Sequence, residues 1–234
     1  MPFIIISVLI IIHELGHFLT ALLLKIEVDK IYIYPFGGIS KFNLSLNTSI
    51  KKELLILLMG PLFQELAKYL LILIFKEYEF MIITYHYSIL FFNLLPIYPL
   101  DGGKLVNLFL SCFFPLKKSL HLSIYLSYII ILFIFLINTN SIHLNIIIIS
   151  IFLITKVSKE DSQINLVYQK FLLERYLHHY NFKDTKIIKN KNNFYRNKKH
   201  LLKIKDKYYY EDEFLAKNYK NLIKKVDNKK NAVL

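Results

Sequence analysis

Three titratable residues stand inside an apolar run: His13, Glu14 and His17, in "IIIHELGHFL", residues 10–19. Positions i and i+4 of a helix share a face, so His13 and His17 can place two imidazole nitrogens on one metal ion. Glu14 lies about one helical step round, within reach of a water on that metal. Imidazole suits zinc, and zinc lowers the pKa of a bound water from about 15.7 to about 7. A carboxylate that takes the water's proton and passes it to a leaving amine completes a hydrolytic centre. The competing reading is structural, with the same residues paired inside a helix bundle. The apolar setting weighs against an idle cluster, because each ionisable group at mid-bilayer costs about 2.5–3.5 kcal/mol on insertion scales.

Two histidines leave a catalytic zinc one protein ligand short. Glu65 is followed at i+3 by Lys68 and reads as half of a structural ion pair. Asp101, in "NLLPIYPLDGGK", stands where prolines and glycines break the chain and can aim a carboxylate inward. Its alternative role is an N-cap on the helix that starts at Gly102. The ligand role is the stronger reading, since the histidine pair needs a partner. His86, in "TYHYSILFF", reads as a solvated histidine rather than a residue of the site or of a substrate path.

Positioning these residues requires membrane spans. The chain has 234 residues, 55% of them hydrophobic, and the apolar residues come in long blocks rather than an amphipathic rhythm. Five spans are expected: A about 3–24, B about 53–75, C from about Phe80 through the broken segment, D about 119–137 and E about 141–157. Between A and B lies an insert with a short alternating strand pattern, "KIEVDKIYIYPFGGISKF". Pro96, Pro99, Gly102 and Gly103 interrupt C, and freed backbone at membrane depth must face protein or water. The run from Phe3 lacks a basic n-region and a small-residue cleavage site, so it does not read as a signal peptide.

Charge orients the spans. The net charge is +13, and residues 158–234 hold 19 Lys/Arg against 9 Asp/Glu. With a cytoplasmic tail and a single crossing by C, the Lys-rich A–B and C–D connections fall inside, and the B–C and D–E ("NTNS") connections outside. The fold class is therefore a polytopic α-helical membrane protein of about five transmembrane helices, with a short membrane-embedded β/loop insert and a small basic cytoplasmic tail. The expected division is a transmembrane metalloprotease core, 1–157, and a basic tail, 158–234. In the tail, 171–180 reads as a helix, 201–210 as a strand pair, and the stretch from about Asp212 as another helix; the Lys/Asn-rich run 188–199 carries little functional weight. The basic tail suits anionic lipid, and no nucleic-acid-binding pattern accompanies it. The single cysteine, Cys112, excludes an intramolecular disulfide and a cysteine-based zinc site.

"HELGH" in an apolar span, followed by "NLLPIYPLDGG", resembles the site-2 protease family of intramembrane zinc metalloproteases. "PFGGIS" and "FLLERY" make it look like the stage IV sporulation protein FB branch, over about residues 1–180. The resemblance implies Zn2+ held by His13, His17 and Asp101, with Glu14 as catalytic acid/base. It further implies that Asn93 and Pro96 shape the substrate side of the cleft, and that Gly37 and Gly38 belong to a membrane-embedded loop beside it. It implies a bacterial cell-membrane protease acting on a membrane-associated protein, a membrane-tethered sigma-factor precursor in sporulation, with possible membrane regulatory partners. Such proteins usually carry a further helix before HELGH and often a nucleotide-sensing domain at the end, of which "RNKKHLLKIKDKYYYEDEFLAKNY" could be a remnant. The alternative function is a non-catalytic, metal-retaining membrane scaffold or transporter; the presence of Glu14 favours the enzyme. A serine motif with a facing histidine is absent, and a second intramembrane Asp, which an aspartyl dyad needs, is absent too.

Overall fold

In the computed structural model, the residues described are all except 1, 27–29, 35–36, 42–44, 138–143, 179, 181, 183, 205–206 and 220–234; the side chains of 30–34 and 37–41 are likewise not described. The expected D–E connection, "NTNS", lies outside the described residues. Helix α1 (Pro2–Leu23) begins on a proline, whose fixed φ suits the first helical position. It ends where Lys25 takes a φ of 55° while the Ile26 and Lys25 amides bond back to the Ala21 and Leu22 carbonyls. That paired 6→1 and 5→2 closure satisfies carbonyls the helix would otherwise leave open.

A two-stranded antiparallel hairpin follows, β1 (Lys30–Tyr34) and β2 (Gly37–Lys41), with Tyr34 opposite Gly37 and Ile33 opposite Gly38. The hairpin lies against α1 through β2. Helix α2 (Ile50–Ile74) runs through Pro61 without stopping. A 3₁₀ turn (Lys76–Tyr78) leads into α3 (Glu79–Leu94). The chain then turns through 95–100, including a cis Tyr98–Pro99 bond, and re-enters helix as α4 (Asp101–Phe113). The interruption expected from Pro96 and Pro99 is thus present. Ser127, further along the chain, holds the turn, its Oγ accepting from the Tyr98 amide at 2.8 Å.

Helix α5 (Leu116–Ile137) precedes α6 (Leu144–Leu177), whose 34 residues far exceed the ~20 needed to cross hydrocarbon. Helices α1, α2 and α5 are each long and apolar enough to span a membrane. Helix α6 starts apolar, turns polar near Lys156 and continues unbroken through 157/158.

Beyond α6, β3 (Thr185–Ile188), β4 (Lys199–Ile204) and β5 (Lys207–Tyr210) form a sheet in that order. The β4–β5 pair is the expected antiparallel hairpin, and residues 211–219 are helical. The parallel partner β3 was not expected: four residues, "TKII", are too short to show a period. The Lys/Asn-rich run has structural weight, because Phe194 and Arg196 within it are buried. One apolar core joins Leu120, Ile124 and Leu153 of the helices to Phe171, Phe194, Leu202 and Leu215. The tail is also pinned to the segment before α2 and to the first turn of that helix. Arg175 Nε donates to Asn47 Oδ1 at 2.8 Å, Arg196 Nε donates to the Leu46 carbonyl at 2.9 Å, and Arg196 pairs with Glu53.

Candidate metal centre

His13 and His17 both lie on the buried face of α1, with their rings edge-to-face at 4.8 Å. Close packing of α1 on α2 keeps them there. A Cβ on Gly16 would come within 2.5 Å of the Met59 carbonyl oxygen, and one on Gly60 within 2.3 Å of the His17 ring. Only glycines at these points let the two backbones approach so closely.

Asp101 arrives from the other side, on the first turn of α4. That turn abuts the end of α3, where a Cβ on Gly102 would meet the Leu94 carbonyl at 2.2 Å. The N-cap position is Leu100, without a side-chain cap. The Asp101 carboxylate is directed elsewhere: Oδ2 lies 3.0 Å from His13 Nε2 and 3.1 Å from His17 Nε2. The two Nε2 atoms are 3.1 Å apart.

The opposite ring nitrogens decide what these three atoms can do. His17 Nδ1 is 2.8 Å from the Ile56 carbonyl oxygen, which can only accept. His13 Nδ1 is 2.9 Å from Gln64 Oε1, also an acceptor, while Gln64 Nε2 donates to the His86 carbonyl at 3.1 Å. Each Nδ1 therefore carries the proton, and in the neutral imidazole each Nε2 presents a bare lone pair. Two lone pairs and a carboxylate oxygen then converge with no hydrogen to share. A cation resolves that repulsion. Ligands about 2.0–2.2 Å from a tetrahedral ion stand roughly 3.3–3.6 Å from one another, close to the spacing found. Among the described residues, His13, His17 and Asp101 form a group that could hold a metal ion.

The remaining candidates fall into place around this group. Glu14 is half-buried on α1 next to His13. Asn93, at the end of α3, has its Nδ2 3.5 Å from His13 Nε2. Pro96 lies in the turn between α3 and α4. Gly37 and Gly38 open β2, on the hairpin beside α1. Lys104, one turn after Asp101, reaches its Oδ1 at 3.3 Å and is partly exposed.

Two expectations outside the site have opposite outcomes. Glu65 does pair with Lys68. His86 is not solvated: it is fully buried between α2 and α3, its Nε2 2.8 Å from Glu65 Oε2 in an electrostatic contact not aligned as a hydrogen bond. An imidazole at mid-helix in an apolar span buries itself against a carboxylate rather than facing hydrocarbon. The residues missed by sequence reading are Gln64 and the Ile56 carbonyl. The signal for Gln64 was available, since a lone amide in "GPLFQEL" cannot face lipid without a partner; a backbone carbonyl leaves no trace in sequence.

Residues 1–80 match the family model described as Peptidase family M50. The chain is 32% identical over 176 residues to stage IV sporulation protein FB of Bacillus subtilis, covering 72% of this chain and 61% of that protein. It is 27% identical over 159 residues to a zinc metalloprotease of Methanocaldococcus jannaschii, covering 64% of this chain and 46% of the relative. The chain thus spans about half to three-fifths of the length of these relatives. Among solved structures, the site-2 protease from Methanocaldococcus jannaschii matches with a TM-score of 0.56 at 23% identity, over 67% of this chain and 76% of that one. With its apolar helices, the chain is a multi-pass integral membrane protein. Residues 1–80 thus carry the peptidase M50 pattern, on a chain similar in sequence to stage IV sporulation protein FB and in fold to a site-2 protease.

Proposed function

We propose that this chain is an intramembrane zinc metallopeptidase that cleaves a membrane-associated protein. The observation that carries the reading is the convergence of two imidazole lone pairs and a carboxylate oxygen, with Glu14 beside them on α1. His13, His17 and Asp101 hold the ion. Zinc, when bound there, supplies a Lewis acid that makes water acidic enough to ionise near neutral pH. Glu14 accepts the proton of the attacking water and returns it to the leaving amine. Asn93 and Pro96 lie on the α3–α4 side of the histidines and shape the substrate cleft. An extended substrate pairs with the β1–β2 hairpin, where Gly37 and Gly38 allow close backbone approach.

Similarity to stage IV sporulation protein FB supports a substrate among membrane-tethered sigma-factor precursors in sporulation. The five-span reading counts α1, α2, α5, the apolar first half of α6, and α3–α4 as a single interrupted crossing. It places the N-terminus outside and the tail, from Ser158, in the cytoplasm. Residue 157 then marks where the chain leaves the bilayer, and the tail acts as a basic cytoplasmic module against the lipid surface. Single cysteines at Glu77 and at Ser158, in a chain whose Cys112 is replaced, should label from opposite sides; labelling from the same side rejects the topology.

The activity test is Glu14→Gln, which keeps the shape of the side chain but loses its basicity. Co-expressed with a membrane-tethered precursor, the variant should retain zinc and lose at least about 10²–10⁴-fold in cleavage. Near-normal cleavage would remove Glu14 from the mechanism and leave the non-catalytic scaffold or transporter as the better reading.

A further inference from the structure

Helix α2 meets the histidine pair along one stripe. Ile56, Gly60 and Gln64 are spaced by four, so they share a face. Ile56 gives its carbonyl to His17 Nδ1, Gly60 leaves room for the His17 ring, and Gln64 gives Oε1 to His13 Nδ1. The two histidines are thus oriented by different means. His17 is held by a backbone carbonyl of α2, that of Ile56. His13 depends on one side chain.

That side chain has no freedom to turn. Gln64 is fully buried, and its Nε2 donates to the His86 carbonyl on α3 at 3.1 Å. Flipping the amide would set Nε2 against the His13 Nδ1–H and Oε1 against a carbonyl, costing two hydrogen bonds at once. We infer that Gln64 is a positioning residue: anchored on α3 by the His86 carbonyl, it fixes the Nδ1–H tautomer and ring angle of His13 and thereby sets the affinity of the metal centre. This rests on the metal-site reading proposed above. It adds the residue behind the ligand. Outer partners of ligating histidines typically contribute about 10–100-fold in metal affinity.

The experiment uses the full chain in detergent and two readouts. The first needs no metal: ¹⁵N shifts of labelled histidine in the metal-free protein report which nitrogen of His13 holds the proton, with His13→Gln giving the assignment. Wild type should show Nδ1–H, and Gln64→Leu should show a tautomer mixture. The second is zinc affinity by competition with a chelator. Gln64→Leu should bind about 10–100-fold more weakly. Gln64→Glu should restore near-wild-type affinity, because a protonated glutamate still donates to the His86 carbonyl while its other oxygen accepts from Nδ1–H. Ser123→Ala, which removes a buried hydroxyl between α4 and α5, should leave zinc affinity unchanged. Gln64→Leu with wild-type affinity, or Gln64→Glu as weak as Gln64→Leu, overturns the inference. If Gln64→Leu does not fold, Gln64→Glu decides by itself through both readouts. A wild-type chain that binds no zinc would instead overturn the metal-site reading, and the tautomer measurement would still judge Gln64.

Discussion

Among the described residues, two of the clusters that set buried histidine beside carboxylate are built on opposite principles. In the tail, His200 Nδ1 donates to Glu211 Oε2 at 2.9 Å, and its Nε2 accepts the Tyr195 amide at 2.9 Å. Arg175 fills the rest, donating to Glu211 Oε1 at 2.8 Å and to the Tyr195, Arg196 and Lys198 carbonyls. Donors and acceptors are matched, so the cluster is complete as it stands and its work is structural. At the candidate metal centre, three acceptors face one another with the protons held on the far side of each ring. Burial of titratable groups does not separate the two sites; the hydrogen inventory does.

The largest contrast should come from Asp101→Ala. Removing one of the three proposed ligands should reduce zinc content to a small fraction of one ion per chain, while hydrogen exchange in the tail stays as in wild type. Asp101→Asn should weaken zinc less, since an amide oxygen still coordinates. Wild-type zinc content in Asp101→Ala would mean that the third ligand lies elsewhere.

The converse variant is Arg175→Met. It leaves Glu211 buried without its cation, a change that typically costs about 3–5 kcal/mol. Amides of β4 and β5 should lose protection, with zinc affinity retained. Loss of zinc together with the tail would show that the two clusters are coupled through the 45–53 segment, which Arg175 and Arg196 both grip.

Acid should produce a smaller, graded version of the same effect. Burial holds the His200 imidazole below its ordinary value, against the opposing pull of Glu211. Burial works to raise the Glu211 carboxyl, but the His200 hydrogen bond and the Arg175 guanidinium outweigh it and leave the group below the ordinary carboxylate range. Both groups bind protons more readily in the unfolded tail than in the folded one. Their stabilisation is present above the unfolded values, and it is lost as pH falls through the lower, folded ones. Protection of β4 and β5 should therefore decline on acidification below the ordinary histidine range, and further through the carboxylate range. Constant protection from pH 7 to 4 would refute the assignment.

Much of the membrane site was legible because its spacing is local or its chemistry is costly. His13 and His17 are a helical turn apart, and an ionisable triad in an apolar span has few harmless explanations. Asp101 was legible because prolines and glycines announce a break that lipid would not tolerate. The apolar length of α1, α2 and α5 is likewise written in composition. His86 misled because a histidine flanked by tyrosines looks interfacial, whereas its burial depends on Glu65 from another helix. The tail cluster left almost no trace: Arg175, His200 and Glu211 look like ordinary members of a charged, Asn- and Lys-rich stretch.

The sequence by itself determined the histidine pair one helical turn apart, the glutamate beside it, the interrupted helix and the apolar spans, all of them properties of residue type and short spacing. Only the tertiary structure decided which way each imidazole faces. That choice belongs to the Ile56 carbonyl, the Gln64 amide and the His86 carbonyl, on helices distant in sequence from α1. The physical reason is that a hydrogen bond to a backbone carbonyl or an amide oxygen is indifferent to local periodicity. It exists only once the helices are packed, and packing is what turns two histidines and an aspartate into three acceptors around one point.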